Sequence, residues 1–273
     1  MSSSGGKVIR RILMWRPDHF DVKYQINPWM RPGLKVDKKR AIDQWENLKK
    51  TLEKCGAKVT VGNDGTKDYP DIVFTANAAF IYKEKAYVSK FYNKERQGEP
   101  LYYEKFLKRA GFEIWKDDKW IFEGAADAKF AGTKKLFGAY GIRTESEVFE
   151  EIDKMTKGAF KIYLVKLSND MFYHLDTCFC PLNDKVALVY LPAIALNSVK
   201  TLENNIEILS VPHKEARLLA CNAVPLGDKL IIPSGCPDTM AMAEKKGIEC
   251  VPINMSEFLK AGGGPRCLTL DLD

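Results

Sequence analysis

DIVFTANAAFIY, residues 71–82, indicates a repeat architecture, because four later segments have the same pattern. Each copy has a short apolar run, a tight spot of small or polar residues, and a second apolar run. The later copies are WIFEGAADAKFAG, FYHLDTCFCPL, LLACNAVPLG and GPRCLTLDL. The marker residues at their centres are 50, 49, 46 and 45 residues apart: Asn77, Asp127, Asp176, Asn222 and Cys267. A near-constant period of this size is typical of propellers and solenoids.

A helix and a further strand are predicted between most copies. Apolar residues at helical spacing predict helices at 41–55, 101–110, 148–155, 197–205 and 238–246. The β-rich runs that follow them are AKVTV, FEIW, KIYLVKL, IEILSV and IECVPI. We therefore expect an α/β fold in which five repeats pack around one axis and the marker residues face that axis. The alternative is a mixed α/β domain whose period is accidental.

Composition limits the classes of function. No Pro/Gly/Ser-rich linker divides the 273 residues, so one domain over 1–273 is expected, with 1–7, MSSSGGK, as a flexible tail. No apolar run reaches eighteen residues, which argues against a membrane-spanning helix. The net charge of +6 is spread among acidic residues and forms no stripe suited to nucleic acid. Seven cysteines without an export signal indicate reduced thiols in a cytoplasmic protein.

Cys267 is the candidate nucleophile, in the context AGGGPRCLTL. The three glycines before it allow unusual backbone conformations and leave N–H groups open to a ligand. Arg266 is expected to place a positive charge beside the thiol and so lower its pKa. The alternative is a buried structural cysteine at the start of a terminal strand.

Polar residues in the earlier copies could complete a catalytic site. His174 is a candidate proton carrier, although a core histidine with satisfied hydrogen bonds fits the same pattern. Glu123 and Asp127 are separated only by small residues and could together hold a guanidinium group, or could form a polar turn. Asn77 occupies the matching place one repeat earlier and could hold an amide or amine.

No metal or cofactor is expected. Cys178 and Cys180 lack a second Cys/His pair at zinc spacing and are interpreted as buried apolar residues on either side of Phe179. The chain contains no GxGxxG, P-loop or HExxH motif.

Taken in chain order, Asn77, Glu123, Asp127, His174 and Cys267 resemble the guanidino-group-modifying enzymes of the pentein superfamily. The similarity runs from about Met14 to Leu270 and is greatest to arginine dihydrolases, through the stretches PDHFDVKYQINPWM, PDIVFTANAAF, ERQGEP, FEGAADA, YGIRTESE, FYHLDTCFCPL, ACNAV and EFLKAGGGPRCLTL. The resemblance implies a five-bladed α/β propeller of pseudo-fivefold ββαβ repeats, the pentein fold.

The resemblance also implies residue roles. Cys267 is expected to be the nucleophile, His174 the acid/base and Glu123 the carboxylate beside them. Asp127 is expected to clamp the guanidinium, Arg96 and Arg143 to hold the substrate α-carboxylate, and Asn27 to bind the α-amino end. The expected substrate is free arginine or a guanidino-modified arginine, with self-association of the chain left open.

One departure within the family bears on the reaction. Dimethylarginine hydrolases usually read VFVED where this chain reads VFTAN, so Asn77 replaces an acid. That asparagine resembles the dihydrolases, and the expected products are ornithine, ammonia and carbon dioxide. The alternatives are a dimethylarginine dimethylaminohydrolase, a one-step arginine deiminase, an amidinotransferase, or a propeller that only binds an amino acid or a protein.

Overall fold

The computed structural model describes residues 9–31, 33–63 and 67–273, so the tail predicted at 1–7 lies outside the described residues. Seven α-helices are formed within these ranges: α1 Lys38–Lys54, α2 Glu99–Arg109, α3 Val148–Thr156, α4 Leu196–Glu203, α5 His213–Ala216, α6 Pro237–Glu244 and α7 Ser256–Leu259. The strands are β1 Arg11–Trp15, β2 Lys58–Gly62, β3 Ala79–Tyr82, β4 Lys85–Val88, β5 Glu113–Trp115, β6 Ala128–Ala131, β7 Lys135–Tyr140, β8 Lys161–Lys166, β9 Phe179–Pro181, β10 Val186–Val189, β11 Glu207–Ser210, β12 Val224–Leu226, β13 Lys229–Pro233, β14 Glu249–Ile253 and β15 Leu270–Asp271.

The described strands form five three-stranded sheets, which are the predicted blades. In each blade an antiparallel pair is followed by a third strand parallel to the middle one. In the second blade, for example, β6 and β7 are antiparallel, with Ala128 opposite Gly138, and β7 and β8 are parallel, with Gly138 opposite Leu164. A parallel partner requires a crossover connection, and α3 supplies it in this blade.

The last blade joins both ends of the chain. Its sheet has the order β15-β1-β2, and Ile12 lies opposite Asp271 on one side and Val59 on the other. The copy GPRCLTLDL therefore supplies only the first strand of its blade, while the N-terminal segment supplies β1, α1 and β2.

Helix α1 shows how the sequence directs a blade's outer layer. The Asp37 side chain accepts a hydrogen bond from the backbone N–H of Arg40 at 3.0 Å and caps the start. One face of the helix is buried, through Ala41, Gln44, Trp45, Leu48 and Leu52. Gly56, with φ of +98°, follows the last turn and takes a left-handed conformation that favours glycine.

Hydrogen bonds between neighbouring blades close a ring at the positions of the repeat. The backbone N–H of Ala76 bonds to the carbonyl oxygen of Cys267 at 3.1 Å, which joins the first and last blades. The marker side chains make the other links: Asn77 Nδ2 to the Glu123 carbonyl, Leu175 N–H to Asp127 Oδ1, Asn222 Nδ2 to the Asp176 carbonyl and Cys267 N–H to Asn222 Oδ1. The period in the sequence thus reflects a structural requirement, since each polar marker contributes to the link between two blades.

The predicted helices are confirmed with boundaries shifted by up to three residues, whereas α7 was not predicted. This helix is only four residues long, which is too short for an apolar stripe to recur. No helix in the described ranges is long and apolar enough to cross a membrane.

Candidate active site

A narrow pocket brings together residues from distant parts of the chain. Its walls include Asn77, Arg96, Arg143, His174 and Cys267. The cavity volume is about 10 Å³, which is room for roughly one water molecule. An arginine side chain is far larger, so the pocket walls must move apart before such a ligand can enter.

Cys267 lies in this pocket with its sulfur held by two polar neighbours. Asn222 Nδ2 donates a hydrogen bond to Sγ at 3.1 Å, and Asp176 Oδ2 lies 3.8 Å from Sγ. Burial and the negative charge of Asp176 raise the pKa of the Cys267 thiol well above its usual range. The unliganded site therefore favours the thiol, and a cation is needed in the pocket to favour the thiolate.

The expectation that Arg266 activates this thiol is wrong for the unliganded site. The Arg266 guanidinium lies against Asp271, with Nη1 2.9 Å from Oδ2. It lines a different cavity from the one that Cys267 enters. Burial decides the direction of the thiol pKa shift here, and burial was not visible in the sequence.

His174, Glu123 and Arg143 form one buried charged group. Glu123 Oε2 lies 2.6 Å from His174 Nε2 and accepts a hydrogen bond from Arg143 Nη1 at 3.0 Å. Burial would raise the pKa of Glu123, but the positive charges of Arg143 and His174 outweigh it and lower the pKa to about 2. Glu123 is therefore ionised and orients the imidazole whose other side can serve the pocket.

Asp127 does not line the pocket. Its Oδ2 accepts a hydrogen bond from Thr144 Oγ1 at 2.7 Å, and its Oδ1 accepts one from the N–H of Leu175 at 2.9 Å. Burial raises the pKa of Asp127 to about 6. In this geometry Asp127 fixes the turn that carries His174 and lies outside the pocket that a guanidinium would enter.

Asn77 and Arg96 lie side by side in the pocket wall. Asn77 Oδ1 accepts a hydrogen bond from Arg96 Nη1 at 2.9 Å, and Nδ2 donates to the Glu123 carbonyl at 3.2 Å. Arg96 is itself held by both carboxylate oxygens of Glu99, at 2.8 and 2.7 Å. Asn77 keeps one N–H and one lone pair for a ligand, while Arg96 keeps a single N–H on Nη1.

Arg143 and Asn27 occupy the side of the pocket formed by the N-terminal segment. Arg143 Nη2 donates to the Ile26 carbonyl at 2.6 Å, and its guanidinium lies 4.7 Å from the ring centroid of Tyr173. Asn27 Nδ2 donates to the Ala261 carbonyl and to the Tyr173 hydroxyl, at 3.0 and 3.3 Å. Asn27 Oδ1 already accepts two backbone N–H groups, so an α-amino group would have to compete for it.

Three polar residues were missed as functional candidates. Asp71 lines the pocket, and its Oδ1 is buried without a hydrogen-bond partner among the described residues, while Oδ2 accepts from Tyr24. Asp176 has a similarly unpartnered Oδ1, and its Oδ2 lies 3.8 Å from the sulfur of Cys267. Asn222 contacts both the backbone and the sulfur of Cys267. Asp176 and Asn222 are repeat markers, and that signal could have led to them; Asp71 has no counterpart in the period.

Among the residues that the structure describes, the cysteines and acids do not assemble a metal centre. Within the described ranges, no group of three or more His, Cys, Asp or Glu side chains is arranged to hold a metal ion. Cys178, Phe179 and Cys180 are all buried, in agreement with their interpretation as apolar packing residues.

Comparison with known proteins agrees with this geometry. A family model described as N,N dimethylarginine dimethylhydrolase, eukaryotic, matches residues 16–273. The chain belongs to this family. The five-bladed pentein propeller predicted from the sequence is likewise confirmed: the structure matches that of the N-terminal domain of ArgZ, described as an arginine dihydrolase bound to product, with a TM-score of 0.93 and 37% identity, over 97% of this chain and 98% of that one.

Two curated members of the family are informative. The chain is 38% identical over 266 residues to the bifunctional arginine dihydrolase/ornithine cyclodeaminase ArgZ of Synechocystis sp., covering 95% of this chain and 37% of ArgZ. It is 32% identical over 264 residues to N(G),N(G)-dimethylarginine dimethylaminohydrolase of Mycobacterium tuberculosis, covering 96% of this chain and 86% of that protein. This member of the dimethylarginine dimethylhydrolase family is therefore a hydrolase of arginine-type guanidino carbon–nitrogen bonds.

Proposed function

We propose that this family member is an arginine dihydrolase that converts arginine and two waters into ornithine, two molecules of ammonia and carbon dioxide. The observation that supports this choice is the amide of Asn77 in the wall of the pocket that holds His174 and Cys267. The similarity to ArgZ over 95% of the chain agrees with it.

Two carboxylates are better placed than Asp127 to receive the guanidinium, because Asp71 lines the pocket and Asp176 Oδ2 lies 3.8 Å from the sulfur of Cys267. Asp71 and Asp176 each carry a buried oxygen without a hydrogen-bond partner among the described residues. Burial raises the pKa of both, and an entering cation favours their ionised forms. We assign them to the guanidinium group, with Asp127 as a positioning residue for His174. Arg143, Arg96 and Asn27 remain assigned to the α-carboxylate and α-amino ends, with Arg96 limited to its one free N–H.

The first half of the reaction removes one nitrogen. The guanidinium cation favours the Cys267 thiolate, and the thiol proton passes to His174. The thiolate adds to the guanidinium carbon, and the imidazolium returns its proton to the nitrogen that leaves as ammonia. The cationic amidino-thioester is stabilised by the carboxylates around it. A water that loses its proton to His174 then releases citrulline and restores the thiol.

The second half requires the neutral ureido product to stay. Asn77 offers one N–H and one lone pair, which suit the oxygen and nitrogen of a urea. The thiol proton passes again to His174, and the imidazolium, paired with Glu123, is the cation that now favours the thiolate. The thiolate adds to the ureido carbon, and the imidazolium returns the proton to the nitrogen that leaves as the second ammonia. Water then cleaves the resulting S-carbamoyl group to ornithine and carbon dioxide and restores the thiol. A carboxylate at position 77 would only accept hydrogen bonds, so it would favour the cationic substrate and let citrulline leave.

The test is prolonged incubation with arginine labelled at its two terminal guanidino nitrogens, followed by mass analysis. The wild type should release both labelled nitrogens as ammonia and form ornithine, and Asn77→Asp should accumulate citrulline. The matched control is Asn205→Asp, the same change just after α4, which should behave as the wild type. Cys267→Ser should lose turnover. A wild type that yields citrulline and never ornithine contradicts the dihydrolase.

The second candidate is a dimethylarginine dimethylaminohydrolase, which the matching family model favours. It predicts citrulline and dimethylamine from dimethylarginine at a rate above that of arginine turnover. Parallel incubations with dimethylarginine, with arginine and with arginine plus glycine separate this activity from a one-step deiminase and from an amidinotransferase.

A further inference from the structure

A second cavity lies apart from the catalytic pocket, and we call it the axial cavity. Its volume is about 270 Å³, near the lower end of the range for small-molecule sites. The inner strand of every blade contributes to its wall, through Ile81 of β3, Lys129 of β6, Cys180 of β9, Pro225 of β12 and Asp271 of β15. Arg266 lines the axial cavity and Cys267 lines the catalytic pocket, and these two cavities share no lining residue among those described.

Two cations in this wall have unused hydrogen-bond donors. The side chain of Lys129 is buried, at 8% exposure, and among the described residues Nζ has no hydrogen-bond or ion-pair partner. Arg266 is 5% exposed, and its Nε and Nη1 form no hydrogen bond within the described ranges, although Nη1 faces Asp271. A buried polar donor without a partner is unfavourable unless a ligand or water completes it.

The neighbouring acid does not neutralise these cations. Both oxygens of Asp271 accept hydrogen bonds from Arg10, at 2.6 Å each, and Arg10 also donates to the Pro225 carbonyl. The same carboxylate is the ion-pair partner of Arg266. Three cationic side chains, Arg10, Lys129 and Arg266, line the cavity together with two carboxylates, Asp271 and Asp273. Because Asp273 is already the ion-pair partner of Arg11, the wall of the cavity has an excess of positive charge.

The pKa of Lys129 reflects this excess of positive charge. Burial, assisted by the positive charge of Arg266, lowers the pKa of Lys129 to about 7. The titratable and charged groups that face it are Arg266, Asp176, Cys180 and Asp271. An anion placed beside Nζ favours the ammonium form, so its binding above pH 7 should take up a proton.

We propose that the axial cavity binds a small oxyanion, a carboxylate or phosphate group, between Lys129 and Arg266. The Arg266 guanidinium offers its free Nε–H, since Nη1 already faces Asp271, and the Lys129 ammonium offers donors from a second direction. This site is separate from the catalytic pocket, so it concerns a ligand other than the guanidino substrate.

The test is isothermal titration calorimetry with inorganic phosphate and with acetate, at constant ionic strength set with chloride. Wild type should bind at least one of the two probes, and Lys129→Met should weaken that binding tenfold or more. The matched control, Lys134→Met, removes the same charge from the exposed turn just after β6 and should bind as the wild type. At pH 8, titrations in buffers of different ionisation enthalpy should show proton uptake in the wild type and none in Lys129→Met.

Binding of neither probe by the wild type would overturn the proposal, and so would equal affinity in wild type and Lys129→Met. Urea unfolding of the variant checks its fold, and methionine at this position removes a buried charge while keeping an unbranched side chain that is only one atom shorter. Cys267→Ser should bind phosphate and acetate as the wild type does. The binding test therefore does not depend on the role proposed for Cys267.

Discussion

Replacement of Glu123 by glutamine removes a negative charge from behind His174 with almost no change in volume. The carboxylate contacts His174 and Arg143 through Oε2, and Oε1 accepts the N–H of Tyr92 at 3.2 Å. Glu123 is fully buried, so water cannot replace the lost charge. Glutamine leaves the Arg143 guanidinium without its anionic partner and removes the group that stabilises the imidazolium.

The pKa of Glu123 sets the expected loss of stability. A decrease from the ordinary value of 4.5 to about 2 corresponds to about 3 kcal/mol, at about 1.4 kcal/mol per unit. Because the pKa is lower in the folded than in the unfolded chain, this stabilisation is complete above pH 4.5 and is lost as the pH falls towards 2. The difference between wild type and variant should therefore shrink by about 1 kcal/mol between pH 7 and pH 4.

The assays are urea unfolding at pH 7 and pH 4 and steady-state arginine turnover. Glu123→Gln should lose about 3 kcal/mol of unfolding free energy at pH 7 and at least about a hundredfold in kcat/KM. Glu215→Gln is the matched control, because Glu215 is equally buried but bonds to the start of α6, outside the pocket. A variant within threefold of wild-type kcat/KM and within about 0.5 kcal/mol of its stability would refute the role given to Glu123.

Two further predictions concern the nucleophile. Asn222→Ala removes the hydrogen bonds to the backbone and sulfur of Cys267, so kcat should fall at least tenfold and stability by about 2–4 kcal/mol; unchanged kcat would show that the sulfur is positioned without Asn222. The raised pKa of Cys267 predicts that its alkylation by iodoacetamide in the unliganded enzyme is slow at pH 7 and keeps accelerating above pH 9, as followed by peptide mass analysis. A rate that levels off below pH 8 would contradict the burial argument.

The fold could be predicted from the sequence because each blade requires the same kind of polar residue at the same place. Asn77, Asp127 and Asn222 each form a hydrogen bond to the neighbouring blade. A polar residue therefore recurs once per blade, and this makes the period detectable in the sequence. The helix boundaries followed from apolar spacing and from glycines such as Gly56. The four-residue helix α7 has no such spacing, which is why it was missed.

The candidate site was less accessible because its chemistry depends on contacts between blades. The sequence places Asp127 near Glu123, but only the fold shows that Thr144, from beyond β7, takes up one oxygen of Asp127. Sequence adjacency also suggested that Arg266 acts on the Cys267 thiol, whereas the two side chains line different cavities. The role proposed for Asp71 depends on a buried oxygen that has no hydrogen-bond partner among the described residues. The sequence around Asp71 does not show this.

The joint blade has a consequence for the order of folding events. Strand β1 must find β15 across almost the entire chain before the ring is complete, and contacts of such long range form slowly. The segment that makes this closure also delivers the nucleophilic sulfur. Partly folded forms with only four complete blades would therefore have no catalytic activity. The recovery of activity during refolding would then report the rate at which β1 pairs with β15.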